Sequence, residues 1–351
     1  MVTFPDILKI DIFYTTHAQS VYHEDMDLIS LRFFMEAARQ RSISKAAVSL
    51  GVVQPALSRR IQLLEDTLGV RLLMRHRRGV EPTEEGRILL ERGELLLRTF
   101  QQVEAELRSQ GAEPLGQVGL GFPPSIANLF MGRLLSESLV RYPKIELYLQ
   151  EDYALAVRDA LLSGRIDLGI MSFEAQHPEL ASQALFEESM WLVGTAQNWT
   201  FGIANAPLKP GVLDKLPLIV GSFMHTLLKR HEVRGKFRLR VLTEANSLTL
   251  SREALRAGAG FLVVPPSSFD RELRSGEFVG APLQGLVLTR GLFYHRDRPL
   301  GRAALAIKGM IEEEVKRLCH TRAEIIRPLK RIDARLAGQI RKPGSGSRQR
   351  G

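Results

Sequence analysis

The sequence predicts an α/β protein with an N-terminal winged helix-turn-helix, a long linker helix and a two-lobed α/β domain. Two observations carry this prediction. A stretch near the N-terminus has the turn chemistry of two short helices, and from residue 115 onward strands alternate with helices in two consecutive βαβαβ groups. With 351 residues the chain is long enough for two or three domains, each with its own core.

These patterns divide the chain into five segments. The expected boundaries are 1–25 for an N-terminal extension expected to be disordered, 26–83 for the winged helix-turn-helix, 84–110 for a linker and dimerisation helix, 115–320 for the two-lobed domain and 321–351 for a basic tail. Lobe I is predicted over about 115–192 and 290–320, and lobe II over about 193–289. The first 25 residues lack the basic start and continuous apolar core of a signal peptide, and Met26 is an alternative to Met1 as the start of translation.

The stretch "SKAAVSLGVVQPALSRRIQLLE", residues 44–65, indicates two helices joined by a tight turn. Gly51 fits the end of the first helix, where a positive φ is readily adopted only by a residue without a Cβ. Pro55 fits the first turn of the next helix, where its missing N–H leaves no helical hydrogen bond unmade. The helix-turn-helix is therefore predicted over about residues 43–62.

The second of these helices has one apolar face and one polar face. Leu57, Ile61 and Leu64 form a stripe at helical spacing that is expected to face the core. Gln54, Pro55, Ser58, Arg59 and Gln62 occupy the other face, and Ser44 in the preceding helix is a further candidate. Glutamine, serine and arginine can bond base edges in a major groove, which makes these residues candidates for DNA binding. A solvated polar face is the alternative interpretation.

The segment "GVRLLMRHRRGVEPT" indicates two short strands around a basic turn, hence a wing. A run of charge is usually solvated surface, but beside a recognition helix it can reach phosphate or the minor groove. Arg75, Arg77 and Arg78 are therefore candidate DNA-binding residues. The roles of Arg60 and Arg71 stay open, because either can pair with a neighbouring acidic residue.

A long helix is predicted from Thr83 to about residue 109, with apolar residues at alternating spacings of four and three. The stripe consists of Leu89, Leu96, Phe100, Val103 and Leu107, interrupted by Gly93. A heptad stripe needs a partner surface, and a second copy of the same helix is the simplest one. The helix is therefore expected to hold a homodimer or homotetramer together.

Beyond the Gly/Pro-containing segment "GAEPLG", two consecutive βαβαβ groups predict two parallel-sheet lobes with a cleft between them. Helix N-termini meet at such a cleft, and their free N–H groups favour anions. The candidate ligand-binding residues are Ser125, Ser172, Ser222, His225, Thr226 and Ser247. A plain helix cap is the alternative role for each serine, and a core or surface histidine for His225. The expected ligand is a small organic anion.

Composition excludes several classes of protein. Apolar residues make up 44% and charged residues 25%, as in ordinary globular proteins, and no apolar run is long enough to span a bilayer. The net charge is +9, but nine basic and two acidic residues after residue 320 contribute +7, so the charge says little about the folded body. With Cys319 as the only cysteine, no intrachain disulfide can form, and a reducing cytoplasm is expected.

No pattern indicates catalysis or a bound metal. The chain has no G-x-S-x-G or H-E-x-x-H motif, and "GAGAGF" around Gly258 precedes a strand, as a helix end does. We expect no catalytic residue, no metal and no cofactor, and do not expect an enzyme. A solute-binding protein without a transcriptional role is the alternative for the second half alone. Such a protein needs an export signal and has no use for a winged helix.

Residues 27–86 closely resemble the DNA-binding domain of LysR-type transcriptional regulators. The matching features are Ala46-Ala47, Leu50, the run "QPALSR" from Gln54 to Arg59, Ile61, Leu64-Glu65, Leu68-Gly69 and "RGVEPTEEG". The resemblance continues to about residue 318 through "GLGFPPS", "GRIDLGI", "LPLIVGS", "AGAGFLVVP" and "HRDRPLGRAA". The general similarity is to the subgroup that contains the nitrogen assimilation control regulators. The family's usual serine before Gln-Pro is Val53 here, so the customary N-cap hydroxyl is missing.

The resemblance implies a sequence-specific DNA-binding regulator with a periplasmic-binding-protein-like α/β effector domain, controlled by a small molecule bound between the lobes. It favours base reading over a solvated polar face for the recognition helix. The implied partners are double-stranded promoter or operator DNA, a small-molecule effector, further copies of the same chain and RNA polymerase, with no membrane. A homodimer would read two half-sites about 10 bp apart, or at multiples of that spacing.

Overall fold

The computed structural model describes residues 26–108, 113–235 and 237–328. The chain divides into two compact units, Met1–Gln101 and Gln102–Gly351, called here the N-terminal unit and the C-terminal unit. The predicted N-terminal extension and the tail beyond residue 328 lie outside the described residues. No helix in the described ranges has the length and apolar character needed to cross a membrane.

Three helices and a two-stranded hairpin begin the N-terminal unit. Their bounds are α1 Leu28–Gln40, α2 Ile43–Ser49, α3 Gln54–Leu68, β1 Leu73–His76 and β2 Gly79–Pro82, and the long helix α4 Glu84–Arg108 follows. β1 and β2 pair antiparallel, with His76 opposite Gly79, so the wing turn consists of Arg77 and Arg78. These elements are the predicted winged helix-turn-helix.

The turn between α2 and α3 has the predicted local chemistry. Gly51 adopts a φ of +66°, and Pro55 lies in the first turn of α3. Val53 occupies the N-cap position without a side-chain hydrogen bond, as its apolar side chain predicts. Leu57, Ile61 and Leu64 are buried against α1 and α2, so the opposite face of α3 is left open.

The first half of α4 packs against its own winged helix-turn-helix. Leu89 is half-buried and packs on the core of the N-terminal unit, and its dimerisation role stays a prediction. Gly93 lets α4 approach α1 closely, since a Cβ there would lie 2.9 Å from Leu31 Cδ1 and 3.1 Å from Met35 Sδ. The first half of the apolar repeat therefore packs within the N-terminal unit, and the second half lies on a different, open surface.

The remaining residues of the predicted stripe stay open within one chain. Leu96, Phe100, Val103 and Leu107 are exposed over 46, 51, 50 and 77% of their surface. Their spacing of four, three and four residues places them along one side of α4. Exposed large side chains in one row are unusual for a surface helix, so this row stays a predicted contact with a second copy.

A buried carboxylate joins α3 to the wing. Glu65 is 5% exposed, and its Oε1 accepts hydrogen bonds from the backbone N–H groups of Leu72 at 2.7 Å and Leu73 at 3.0 Å. Its Oε2 accepts from Arg71 Nη1 at 2.8 Å. Arg60 instead pairs with Asp27, so both basic residues left open by the sequence have structural partners.

We expect Glu65→Leu to lower the free energy of unfolding of the N-terminal unit by about 1–3 kcal/mol, because two buried amides lose their acceptor. Hydrogen exchange of the Leu72 and Leu73 amides in the full chain measures this change directly. Asp66→Leu removes the same charge from an exposed neighbour and is the matched control. Equal protection of these amides in Glu65→Leu and the parent would show that water replaces the carboxylate.

The C-terminal unit alternates strands with helices, as predicted. Its strands are β3 Gly116–Phe122, β4 Ile145–Glu151, β5 Leu168–Ser172, β6 Leu180–Thr195, β7 Pro217–Val220, β8 Arg240–Glu244, β9 Phe261–Val264, β10 Phe278–His295 and β11 Ile326–Pro328. Its helices are α5 Pro124–Ile126, α6 Gly132–Arg141, α7 Ala154–Leu162, α8 Ser222–Gly235, α9 Leu248–Arg256, α10 Asp270–Ser275 and α11 Arg302–Thr321. A π-helical turn, Ala127–Met131, joins α5 to α6.

Two parallel three-stranded groups form the lobes. The strand order is β4-β3-β5-β10-β6-β9-β7-β8, in which β4-β3-β5 and β9-β7-β8 are parallel. Lobe I contains β3 to β5 with α5 to α7, and lobe II contains β7 to β9 with α8 and α9. The long strands β6 and β10 pair antiparallel between the two groups and run through both lobes. The predicted lobe boundaries at residues 193 and 289 therefore fall inside continuous strands.

The C-terminal unit extends past the predicted boundary at residue 320. Helix α11 continues to Thr321, and β11 pairs antiparallel with β6. Ile325 and Ile326 are buried in the core. The first residues of the predicted basic tail are therefore part of the sheet, because two adjacent isoleucines supply apolar surface that the net charge of the segment does not reveal.

Candidate functional site

The open face of α3 displays the residues predicted to read DNA. Gln54, Pro55, Arg59 and Gln62 are exposed and Ser58 is half-buried. The Ser44 hydroxyl, on α2, donates a 2.9 Å hydrogen bond to Gln54 Oε1. This bond uses the Gln54 carbonyl oxygen as acceptor and leaves the two N–H donors of the amide for other acceptors.

One arginine of α3 and three arginines of the wing form no ion pair in the described part of the chain. Within the described chain, Arg59, Arg75, Arg77 and Arg78 have no acidic group within ion-pair distance. Some other arginines of the unit, at positions 39, 60, 71 and 87, each pair with a carboxylate. Four unneutralised guanidinium groups beside an open helix face form a surface suited to a polyanion.

In the C-terminal unit a cavity of about 450 Å³, called here the cleft, lies between the two lobes. Its wall includes the residues that end or follow the parallel strands of both lobes, where α/β sheets bind ligands. Of the predicted ligand residues, Ser125, Ser172 and Ser222 line the cleft. His225, Thr226 and Ser247 do not, although their sequence positions follow the same strand ends.

A buried ion pair lies beneath the cleft. Arg290 on β10 donates from Nε to Glu188 Oε2 on β6 at 2.8 Å, and from Nη2 to Ser125 Oγ at 2.8 Å. The Ser267 hydroxyl donates to Glu188 Oε1 at 2.5 Å. Arg290 also lines the cleft, and among the described residues its Nη1 group has no hydrogen-bond partner. Ser125 is therefore already occupied as an acceptor.

Ser172 is the polar residue of the cleft that the protein leaves unsatisfied. It is fully buried, and in the described part of the chain its Oγ has no hydrogen-bond partner. Ser172 ends β5 and is paired with Arg290 across the β5–β10 ladder, so the two side chains share one face of the sheet. A buried hydroxyl without a partner costs free energy that a ligand acceptor can recover.

The Ser222 hydroxyl, in lobe II, has its hydrogen-bond partners within the protein. The Ser222 hydroxyl donates to Glu244 Oε2 at 2.9 Å and accepts from Asn246 Nδ2 at 2.9 Å. His225 Nδ1 lies 2.5 Å from Glu244 Oε1. The hydrogen bonds from His225 and then Ser222 lower the pKa of the Glu244 carboxyl. The ring of His225 pairs with a carboxylate outside the cleft lining, so its ligand role stays a prediction without a supporting contact.

Thr226 and Ser247 make local hydrogen bonds, which for Ser247 is the helix-cap alternative. The Thr226 hydroxyl donates to the carbonyl of Ser222 one turn earlier in α8, at 3.1 Å. Ser247 is the N-cap of α9, and its Oγ accepts from the Leu250 N–H at 3.2 Å. Both hydroxyls bond nearby backbone groups, as short polar side chains commonly do, and their ligand contacts stay predictions.

The two lobes also contact each other beside the cleft. Asn128, in the π-helical turn, donates from Nδ2 to the Ser268 carbonyl at 3.0 Å. Burial, followed by the charges of Glu151 and Asp152, raises the pKa of Tyr153. The Leu248 N–H at the start of α9 acts in the opposite direction, as a hydrogen-bond donor to the phenol. The phenol therefore stays protonated at neutral pH, at a contact between lobe I and lobe II.

Comparison with known families assigns both units. Residues 28–87 match the family described as "Bacterial regulatory helix-turn-helix protein, lysR family", and residues 111–316 match "LysR substrate binding domain". The chain belongs to the LysR family of transcriptional regulators. It is a DNA-binding regulator with an effector-binding domain. The presence of both family matches in one chain supports this function over a solute-binding protein without a transcriptional role.

Several relatives cover most of this LysR-family chain. The nitrogen assimilation regulatory protein nac of Klebsiella aerogenes is 30% identical over 69% of this chain and 79% of its own length. The regulator BbuR of Bordetella bronchiseptica is 25% identical over 84% of this chain and 91% of its own. The similarity to the nitrogen assimilation subgroup, inferred from the sequence, is thus found among curated proteins.

Solved structures share the fold. A cysteine-to-aspartate variant of full-length OxyR from Pseudomonas aeruginosa superposes with a TM-score of 0.62 at 22% identity, covering 82% of this chain and 98% of that one. CbnR, described as a LysR family transcriptional regulator, gives a TM-score of 0.61 at 21% identity, over 83% and 99% of the two chains. At this identity the likeness supports the LysR fold and nothing about ligands.

Sequence reasoning missed the charged residues of the effector-binding domain in this LysR-family regulator. Arg290 lies within the apolar run "LVLTRGLFYH", and Glu188 lies within "LFEESMWLV". Opposite charges inside two apolar strands, Arg290 in one and Glu187-Glu188 in the other, are the signal that could have predicted a buried pair. Asp152, directly after β4, gave no separate signal, because acidic residues after strands are common in turns.

Proposed function

We propose that this LysR-family regulator binds operator DNA as a homodimer or homotetramer and that a small organic anion bound in the cleft controls its activity. The proposal assigns the chain no catalytic role and places it in the cytoplasm with its DNA. Contact with RNA polymerase stays a prediction. The observation that carries the proposal is the open face of α3, where Ser44 holds the Gln54 amide in place, in the same unit as a wing with three arginines that no described carboxylate neutralises.

The proposed DNA contacts divide into two kinds. Gln54, Ser58 and Arg59 on α3 contact base edges in the major groove, with the free N–H groups of Gln54 donating to a purine N7 or a carbonyl oxygen. Arg77 and Arg78 at the wing turn contact phosphate or the minor groove. Ser44 is a positioning residue, because it acts through the Gln54 amide.

We expect Gln54→Ala to lose about 1–3 kcal/mol of discrimination at one base pair of each half-site. Ser44→Ala should lose part of the same discrimination, and the double variant should lose no more than Gln54→Ala alone, since both substitutions remove one contact. Selection of preferred sites from a random DNA pool, followed by affinity measurements on the selected operator and its single-base variants, measures this loss. Unchanged preferences in Gln54→Ala would reject the assigned reading face.

We expect Arg77→Ala to weaken binding to all DNA sequences equally and to reduce the slope of log affinity against log salt by about one. Arg60→Ala is the matched control, because Arg60 is also exposed but already pairs with Asp27 at 3.2 Å. Fluorescence anisotropy with operator and scrambled duplexes at several salt concentrations gives both slopes. A base-dependent loss in Arg77→Ala would assign the wing to sequence reading instead.

The cleft supports an anionic effector through two groups that lack protein partners. Ser172 Oγ can donate to a ligand oxygen, and the Nη1 group of Arg290 on the same sheet face can donate beside it. Arginine and hydroxyl donors on one face suit a carboxylate. Ser172→Ala is expected to preserve or raise the stability of the unliganded protein while weakening ligand binding. A purely structural serine would instead lose stability on substitution.

A further inference from the structure

Asp152 gives the cleft a charge that the protein does not balance. Among the described residues that line the cleft, Asp152 and Arg290 are the charged ones, and Arg290 is neutralised by Glu188. Asp152 Oδ1 accepts from the Tyr153 N–H at 2.8 Å, whereas its Oδ2 has no partner in the described part of the chain. The cleft therefore combines a neutralised cation with an unneutralised carboxylate.

Asp152 lies on the side of the cleft away from the unsatisfied donors. It follows β4, and Ser172 ends β5, with β3 between these two strands. Two strand spacings separate their backbones by roughly 10 Å. A carboxylate bonded to Ser172 and Arg290, and a neighbouring cation bonded to Asp152, fit this separation with one hydrogen bond of about 2.9 Å at each end.

The rest of the cleft wall is largely apolar. Leu155, Phe223, Met224 and Leu248 are among its lining residues, and they come from both lobes. A volume of about 450 Å³ suits a small molecule. An aliphatic or aromatic body can therefore occupy the space beyond the two polar ends, where it removes apolar surface from water.

We propose that the effector is a zwitterionic amino carboxylate with an apolar body, held by its carboxylate at Ser172 and Arg290 and by its ammonium at Asp152. This inference rests on the proposed function, in which an effector carboxylate binds in the cleft. It goes further by requiring a cation on the same molecule. A simple carboxylate would leave Asp152 unpaired beside a second negative charge, which is unfavourable in a partly dehydrated site.

Matched sets of probes test the requirement for both charges. Leucine, 4-methylpentanoate and 3-methylbutylamine form one set, and phenylalanine, 3-phenylpropanoate and 2-phenylethylamine form another. The twenty amino acids are first screened for a rise in Tm of the full-length protein, and the best binder is then titrated by calorimetry with its two analogues. We expect the zwitterion to bind at least about tenfold more tightly than either analogue, as for a hydrogen bond between charged groups.

Two variants locate the two ends of the ligand. Asp152→Asn should weaken the amino acid about tenfold or more, and it should strengthen the deaminated acid, because the substitution removes a nearby negative charge. Glu151→Gln is the matched control, because it removes the same charge from the preceding residue, which is exposed and outside the cleft lining. Ser172→Ala should weaken the amino acid and the deaminated acid by the same factor, since both carry the carboxylate.

The outcomes separate this inference from the proposed function. If the deaminated acids bind as tightly as the amino acids, or if no amino acid raises Tm, the effector is not a zwitterion and the inference is wrong. If a deaminated acid binds to the parent protein but not to Ser172→Ala, a carboxylate site in the cleft is still supported. Leu155→Trp should block every ligand of the cleft, so undiminished binding in that variant would overturn both proposals.

Discussion

Replacing Arg290 with leucine is expected to lower the free energy of unfolding of the C-terminal unit by about 3–5 kcal/mol. The substitution leaves the buried Glu188 carboxylate without its ion-pair partner. Glu188 is fully buried and Arg290 is 4% exposed. Without the guanidinium, Glu188 keeps the Ser267 hydroxyl as its remaining partner, and Ser125 loses its donor. Urea denaturation followed by tryptophan fluorescence measures the loss in this unit alone, since both tryptophans, Trp191 and Trp199, lie in it.

The double variant Glu188→Leu with Arg290→Met distinguishes charge burial from lost packing. It should recover most of the stability lost in Arg290→Leu, because no unpaired charge then remains in the core. Glu313→Gln is the control for an exposed pair, since Arg141 and Glu313 are 50% and 60% exposed, and it should have little effect. A double variant as unstable as the single one would mean that the hydrogen bonds to Ser125 and Ser267 dominate.

Introducing a charge at Phe100 is expected to dissociate the oligomer into monomers at micromolar concentration. In the proposed assembly, Phe100 lies in the seam between two α4 helices, where an unpaired carboxylate is costly to bury. The aromatic ring is 51% exposed within one chain, so Phe100→Glu should leave the folded monomer intact. Sedimentation equilibrium of the variant and its parent gives the mass of each directly.

The control for this experiment places the same charge beside the stripe. Gln101 is exposed and lies one residue further along α4, about 100° around the helix, so Gln101→Glu should keep the parent mass. Dissociation weakens binding to a two-half-site operator much more than binding to a single half-site, because the linked second contact is lost. An unchanged mass in Phe100→Glu would assign the stripe to a contact within one chain.

Local sequence determined most of the secondary structure. Gly51 and Pro55 predict the turn between α2 and α3 because each needs a particular backbone conformation whatever surrounds it. The open face of α3 follows from the helical spacing of Leu57, Ile61 and Leu64, all of which are buried. The alternation of strands and helices likewise predicts the two lobes and a cleft at the strand ends.

The apolar stripe of α4 shows where periodicity becomes ambiguous. Leu89 and Phe100 belong to one repeat in the sequence, yet Leu89 packs on its own unit and Phe100 stays open. Gly93 decides the division, since its missing side chain lets α1 approach the first half of the helix. A sequence repeat indicates that one face of a helix is apolar, but it does not indicate which surface packs against that face.

The cleft chemistry was decided by tertiary structure, whereas the sequence by itself determined the strands and helices that surround the cleft. Glu188 and Arg290 are 102 residues apart, and Ser125 and Arg290 are 165 apart, so no local pattern links them. The strand order makes Ser172 a neighbour of Arg290 and separates it from Asp152 by one strand. Helix and strand formation depends on residues a few positions apart, but pairing of buried charges depends on which strands become neighbours in the folded sheet.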